Sequence, residues 1–273
     1  MKLLALLLPA IECAFLKETD FNIPLKKYVE RYNFQLDEHN VQTRDGFLLL
    51  LHRVVSPSGK SVKGPPVLLM HGLEGSSADF LLNYPEMAPA LTLAKKGYDV
   101  WLGNSRGNEF SSRHDTLKPE DIEGASVYWN FGPEDIGNVD VPAFIDFILK
   151  ETKKPKLEAY IGYELGNTEF WMGASRNPHY FEDTVNLFVS LSPFVQIQNK
   201  IDWFQALMGY MWVVWPKFFQ QTLGFYSFWD TQQSRKRSAE SCTSFYSLCV
   251  ITNSFSYDQL LTNIERLPFV LRY

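Results

Sequence analysis

The stretch KLEAYIGYELGNTEF, residues 156–170, decides the fold of this chain. Its first half is an apolar run typical of a buried strand, and its second half begins a helix. Gly162 and Gly166 flank the turn between them, as in the G-x-S-x-G turns that present a catalytic serine at a sharp bend. The middle residue here is Glu164. The sequence therefore predicts the architecture of a nucleophile turn without its serine.

The segments on both sides of this stretch alternate between strands and helices. The predicted strands are a hairpin over residues 41–55 that turns at Asp45-Gly46, then Pro66–Met70, residues 98–102 and residues 187–191; the predicted helices are residues 85–96 and 138–151. The second of these helices has its apolar face on Val141, Phe144, Ile145 and Ile148. This alternation predicts an α/β fold with a mainly parallel sheet and helices on both faces.

The composition favours one globular domain without a nucleic-acid partner. The chain has 273 residues, 45% of them hydrophobic, and its formal net charge of -5 gives no basic surface to neutralise phosphates. Cys13, Cys242 and Cys249 form neither a disulfide framework nor a C-x-x-C zinc motif, so no metal and no cofactor are predicted. Cys242 and Cys249 are either a disulfide of an oxidising compartment or two buried thiols.

The two ends of the chain differ from its middle. Residues 1–14 carry one lysine, an apolar run and small residues near Ala14, which resembles a short secretory signal peptide; a buried first helix is the alternative. Residues 15–195 are predicted to form the core, and residues 196–273 a partial cap or lid. Residues 201–224 in the cap are rich in aromatic side chains and face either lipid or a protein interior. Their longest apolar run is too short to span a bilayer.

Five segments follow one another between residues 28 and 193: RDGFLLLLHRV, HGLEGSSADFLLN, GYDVWLGNSRGN, SRHDTL and FIDFILKETKKPKLEAYIGYELGNTEFW. In order and spacing they resemble the acid lipase family, which includes lysosomal and gastric lipases and steryl ester hydrolases. The resemblance implies the α/β-hydrolase fold with a cap. It also implies hydrolysis of triacylglycerols or steryl esters by a Ser-Asp-His triad.

The resemblance assigns a position to each part of the site. His71, Gly72 and Leu73 would form the oxyanion loop, with the N–H of Leu73 as one donor and that of Leu165 as the second. Glu164 stands at the nucleophile position. A carboxylate that attacks an ester would form an anhydride, an uphill product, and its charge would repel the oxyanion. The loop is therefore predicted to be vestigial, with no intact catalytic residue.

The base of the triad is also predicted to be absent. In this fold the acid and the histidine follow the nucleophile, and His179 is the only histidine after Glu164. The chain is accordingly interpreted as truncated, without the late strands that carry both groups. The strand at residues 157–161 would then expose an open edge, which a protein partner or the cap would cover.

A second G-x-S-x-G match, Gly103 to Gly107, is predicted to be a decoy. Ser105 follows a strand, with His114 nearby, but no helical pattern comes after it. His71 is interpreted as a structural hydrogen-bonding residue. Asp79, Asp146 and Asp183 are interpreted as surface or capping residues.

These observations predict a lipase-like scaffold that does not hydrolyse esters and acts by binding a lipid or membrane surface, or as a structural or assembly subunit. The alternative is an active lipid ester hydrolase of the acid lipase family. A third reading is an unproductive fragment. The N-terminal segment indicates a secretory, lysosomal or extracellular location, with an organellar membrane-associated assembly as the alternative.

Overall fold

The structure is a computed structural model that describes residues 24–193, apart from residues 60, 74, 82, 84 and 120–124. The predicted signal peptide and the predicted cap, residues 1–14 and 196–273, lie outside the described residues. The strands are β1 Gln35–Gln42, β2 Phe47–Val55, β3 Pro66–Met70, β4 Asp99–Leu102, β5 Arg113–His114, β6 Ala159–Tyr163 and β7 Phe188–Leu191. The α-helices are α1 Leu25–Glu30, α2 Pro89–Lys95, α3 Ala125–Tyr128, α4 Pro133–Asp135, α5 Val141–Thr152, α6 Leu165–Arg176 and α7 Pro178–Thr184.

The described strands form one mixed sheet in the order β1-β2-β4-β3-β6-β7, with β5 beside β2. The hairpin β1-β2 is antiparallel, and Gly46 in its turn has a φ of 99°, a left-handed conformation that favours glycine. The predicted turn at Asp45-Gly46 is therefore confirmed. Strands β4, β3, β6 and β7 are parallel to one another, as the alternation of strands and helices predicts.

Strand β3 lies in the interior of the sheet and is buried along its whole length. Because side chains alternate across a strand, Val67 and Leu69 pack in one core, while Leu68 and Met70 pack in the core on the opposite face. Helices cover both faces, so the α/β class is confirmed. Among the described residues, no helix is long and apolar enough to cross a membrane.

Two prolines fix where the predicted helices begin. The helix predicted from residue 85 begins at Pro89, and the one predicted from residue 138 begins at Val141, which Pro142 follows. Proline lacks an N–H and is preorganised for the first helical turn, so it marks a helix start. A π-helical turn over Ile136–Asp140 precedes α5. The predicted apolar face of α5 is buried at all four positions: Val141, Phe144, Ile145 and Ile148.

The expectation of an open edge at residues 157–161 is wrong. Strand β7 pairs with β6 in parallel, from Tyr160 opposite Phe188 to Tyr163 opposite Leu191, and Leu157 bridges to Val185. The connection through α6 and α7 returns the chain directly beside β6, as parallel crossovers do. The strand at residues 187–191 was predicted from the sequence, but it was not predicted to pair with the strand at residues 157–161. Among the described strands, β7 is the edge of the sheet on this side, and β1 is the edge on the other.

Candidate functional site

The sharp turn after β6 has the backbone of a nucleophile turn. Glu164 lies between β6 and α6 with φ 48° and ψ -107°, a conformation that costs a non-glycine residue about 1–3 kcal/mol. A Cβ at Gly162 would lie 2.7 Å from Oδ1 of Asn167, and one at Gly166 would lie 2.5 Å from the carbonyl oxygen of Met70. The two glycines are therefore required by close packing on both sides of Glu164.

The carboxylate of Glu164 occupies the donor of the oxyanion loop. The backbone N–H of Leu73 donates to Oε2 of Glu164 at 2.9 Å. A Cβ at Gly72 would collide with the same carboxylate, so the side chain is pressed against the loop. The N–H of Glu164 itself donates to the carbonyl of Leu191 at 3.0 Å. The turn, the loop and the end of β7 meet at one point.

A second acid lies beside this point. Asp79 is partly buried in a capping box, in which the N–H of Ser76 donates to its Oδ2 at 3.3 Å. Burial, together with the charge of Glu164, raises the pKa of Asp79 to about 7, although the Ser76 N–H opposes this. Its interpretation as a capping residue agrees with this contact, but its burial beside Glu164 was not anticipated. Asp146 is exposed and accepts from Tyr180, and Asp183 is exposed.

We expect the stability of the Asp79→Asn variant, measured as its free energy of unfolding, to rise relative to that of wild type as the pH rises from 5 to 8. The folded-state pKa of Asp79 lies above its ordinary value of 3.8, so its contribution to stability is present at low pH and is lost as the pH rises through about 7. Asparagine does not titrate. Urea unfolding of both proteins at the two pH values measures this. Asp183→Asn is the control, and an equal effect of Asp79→Asn at both pH values would contradict the assignment.

His71 is held by hydrogen bonds on both ring nitrogens. Its Nε2 lies 3.1 Å from the donating N–H of Ser105, so Nδ1 carries the proton and donates to the carbonyl of Gly72 at 2.8 Å. The side chain amide of Asn108 also donates to Nε2. Burial lowers the pKa of His71 to about 4. These contacts fasten the oxyanion loop to the loop after β4 and leave no nitrogen free to act as a base.

Ser105, the decoy nucleophile, is buried beneath the site. Its hydroxyl donates to Oε1 of Glu169 at 3.1 Å. Burial raises the pKa of Glu169 well above its ordinary range, which favours the neutral form of this partner. The residues after Ser105 form a loop of turns, with no helix before the short strand β5. The G-x-S-x-G match at residues 103–107 therefore contains a serine with a buried structural hydrogen bond.

The other histidines also have places away from Glu164. His39 packs at a tilted angle against the rings of Trp101 and Phe147, and Nδ1 of His114 accepts from the backbone N–H groups of Thr116 and Leu117. His179 is exposed on α7, with Nδ1 3.4 Å from Glu182.

His52 is the one histidine that is hydrogen-bonded to a serine hydroxyl, its Nδ1 lying 2.7 Å from Oγ of Ser77. Both side chains are buried, and burial lowers the pKa of His52 to about 4. No substrate can reach this pair. All five histidines of the sequence are described, and none of their hydrogen bonds or ion pairs includes Glu164.

The sequence interpretation missed a buried ion cluster that supports the site. Arg106 is 4% exposed and pairs with Asp140 at 2.5 Å and with Asp45 at 2.7 Å. Its guanidinium also lies over the ring of Phe47. The cluster ties the hairpin turn, the loop after β4 and the π-helical turn together. The one sequence signal for this cluster was Arg106 itself, a charged residue between two small ones in NSRGN. That signal does not identify Asp140 and Asp45 as its partners.

Comparison with known proteins agrees with this architecture. A family model described as "alpha/beta hydrolase fold" matches residues 65–258, and one described as "Partial alpha/beta-hydrolase lipase region" matches residues 25–84. The chain belongs to the acid lipase-like family of α/β-hydrolases. It is 38% identical over 183 residues to Lipase 1 of Drosophila melanogaster, covering 67% of this chain and 39% of that protein.

Two human members of the family match at 34% identity. Lipase member K aligns over 65% of this chain and 44% of its own length, and gastric triacylglycerol lipase over 64% and 43%. The chain thus spans less than half the length of these curated relatives. In this chain Glu164 stands at the turn, at the position that the resemblance assigns to the nucleophile. In the part of the chain that the structure describes, no group of histidine, cysteine and acidic side chains could hold a metal ion.

Proposed function

We propose that this chain is a lipase-like scaffold that binds lipid and does not cleave esters at its nucleophile turn. The observation that carries the proposal is the contact between the Glu164 carboxylate and the Leu73 N–H. In ester hydrolysis that N–H would stabilise the charge that develops on the substrate carbonyl oxygen. A negative oxygen of the protein already occupies it.

The chemistry of Glu164 supports the same conclusion. Attack of its carboxylate on an ester would form a mixed anhydride and expel an alkoxide, which is uphill. A catalytic turn also needs a base beside the nucleophile, and the histidines of this chain are engaged elsewhere. Removing one oxyanion donor alone costs about 3 kcal/mol of transition-state stabilisation. The combined losses support the proposal that this turn does not cleave esters.

Apolar side chains around the turn support lipid binding. Leu73, Tyr163 and Leu191 are 59%, 41% and 40% exposed, and each belongs to a segment that contacts Glu164 directly. Large exposed apolar side chains on segments that converge on one residue are consistent with a surface for an apolar ligand. We therefore favour lipid binding over a purely structural role in an assembly. Ester hydrolysis, which the names of the relatives indicate for those proteins, is the competing function.

Labelling with a fluorophosphonate tests the inactive site. This reagent attaches to a serine that a neighbouring base activates, and mass spectrometry locates the adduct. We expect no adduct on the full chain, because Ser105 and Ser77 are buried and no serine stands at residue 164. The Ser105→Ala variant is the control. An adduct at Ser105 that this variant loses would overturn the proposed function.

We also propose a secretory or lysosomal location. The signal-like residues 1–14 and the similarity to a gastric lipase support it. Expression in secreting cells followed by N-terminal sequencing tests it. A mature protein that retains Met1 inside the cell would contradict this location.

A further inference from the structure

We infer that the Glu164 turn selects lipids by their head group: it accepts a hydroxyl-bearing lipid and rejects a fatty carboxylate. The inference rests on the proposed lipid binding and adds the chemistry of the ligand. It follows from what Glu164 leaves available at the turn, where the segments that carry Leu73, Tyr163 and Leu191 converge. The proposed ligand is an amphiphile with an uncharged head that can donate a hydrogen bond.

The hydrogen bond between Glu164 and Leu73 leaves Oε1 of Glu164 as a possible acceptor and engages the N–H of Leu73 as a donor. Oε2 takes the N–H of Leu73, whereas none of the described residues donates to Oε1. An incoming hydroxyl can donate to Oε1 without breaking any contact among the described residues. A carboxylate or an ester carbonyl needs a donor, and of the two predicted donors the N–H of Leu73 is already engaged, which leaves that of Leu165. The available chemistry therefore matches a donor head group.

The charges around the turn act in the same direction. The Glu164 carboxylate lies at the N-terminal end of α6, where helices attract anions, so the protein supplies its own anion there. Asp79 adds a second acid that interacts with Glu164. In the described residues, no lysine or arginine forms an ion pair with either acid. A fatty carboxylate would meet like charges without a compensating cation among the described residues.

The polar and apolar parts of the site have a matching arrangement. Leu73 and Tyr163 adjoin Glu164, and Leu191 accepts its N–H through the main chain. In the proposed complex the alkyl chain contacts these side chains and the head group donates to Oε1. Burial of the alkyl chain contributes affinity to any lipid, since it depends on area and not on the head group. Discrimination between lipids is thus assigned to Glu164.

Competition between two ligands of equal chain length tests the inference. The assay measures how well decanol and sodium decanoate each displace the neutral fluorescent probe N-phenyl-1-naphthylamine from the full chain at pH 8. Both ligands are used at concentrations at which they stay dissolved as monomers. We expect decanol to bind wild type at least about tenfold more tightly than decanoate. The reason is that decanol would donate a charge-assisted hydrogen bond to Glu164, whereas decanoate would meet a like charge there. Glu164→Gln keeps the shape and replaces Oε1 with an amide donor. It should lower that preference by about tenfold or more.

Glu158→Gln is the matched control, because Glu158 is an exposed carboxylate that precedes β6 at the opposite end from the turn. It should leave the preference unchanged. Equal binding of the two ligands by wild type, or a preference that Glu164→Gln does not alter, overturns the head-group inference and leaves lipid binding intact. Failure of both ligands to displace the probe from wild type and from Glu164→Gln overturns the proposed lipid binding, and the inference with it.

Discussion

Arg106→Ala is expected to lower the free energy of unfolding by about 3–5 kcal/mol, as when one partner of a buried ion pair is removed. The guanidinium donates to both carboxylate oxygens of Asp140, which is itself fully buried. It also donates to Asp45 in the hairpin turn. Alanine would leave Asp140 without its counter-ion and open a cavity beside Phe47. Urea unfolding at pH 7 measures the loss.

Arg176→Ala is the control for this change. Arg176 pairs with Glu134 at 2.7 Å, but both side chains are mostly exposed, so the expected loss is below about 1 kcal/mol. A loss of similar size in the two variants would show that Arg106 is not buried as the structure has it. The double variant Arg106→Met with Asp140→Leu should recover part of the stability, because apolar replacements remove the uncompensated charge.

Gly166→Ala is expected to destabilise the fold by about 2–3 kcal/mol. The added Cβ would lie 2.5 Å from the carbonyl oxygen of Met70 and 3.0 Å from that of His71. Both are backbone atoms of β3 and the loop after it, so no side-chain rotation relieves the contact. Overpacking of this kind costs about 1–3 kcal/mol or more and exceeds the roughly 1 kcal/mol that alanine gains over glycine within a helix. Thermal and urea unfolding both report it.

Gly132→Ala supplies the matched comparison. No atom lies within 4 Å of a Cβ at Gly132, and its φ of -137° suits any residue. We expect a change of less than about 0.5 kcal/mol, typical of a surface substitution. If Gly166→Ala were as mild as Gly132→Ala, α6 could not pack against β3 as closely as described. The whole geometry of the turn would then be in doubt.

Much of the fold could be predicted from local patterns. The apolar run Pro66–Met70 has the bounds of β3, and the 3.6-residue spacing from Val141 to Ile148 marks the buried face of α5. The glycines of GYELG identify the turn because close backbone approach leaves them no substitute. These signals lie within a few residues of one another. Local sequence is therefore sufficient for them.

The contacts that define the site could not be predicted in this way. Leu73 and Glu164 are 91 residues apart, and Arg106 is 61 residues from Asp45. Their meeting depends on the order of strands in the sheet, which hydrophobic periodicity does not contain. The same reason explains the error at residues 157–161, where a correctly recognised strand was not placed beside β6. Which distant segments meet is determined by the topology of the sheet.

The loop that the resemblance assigns to the oxyanion site, residues 71–73, contacts the turn after β6 directly. His71 still fastens it to Ser105, and Leu73 still presents its N–H to the turn. The carboxylate of Glu164 completes the arrangement as an internal partner in place of a substrate oxygen. This explains how a strained residue at φ 48° is tolerated, since its side chain gains a hydrogen bond that holds the loop. The turn is a structural junction between three segments.

The initial rate of p-nitrophenyl butyrate hydrolysis by the full chain tests the central claim most directly, with an active gastric triacylglycerol lipase as positive control. Wild type and Glu164→Ser are measured together. We predict that both remain at the rate of buffer alone, because Glu164 blocks the first and no histidine is placed to activate a serine in the second. Clear turnover by wild type that Glu164→Gln abolishes, or clear turnover by Glu164→Ser, would contradict the claim.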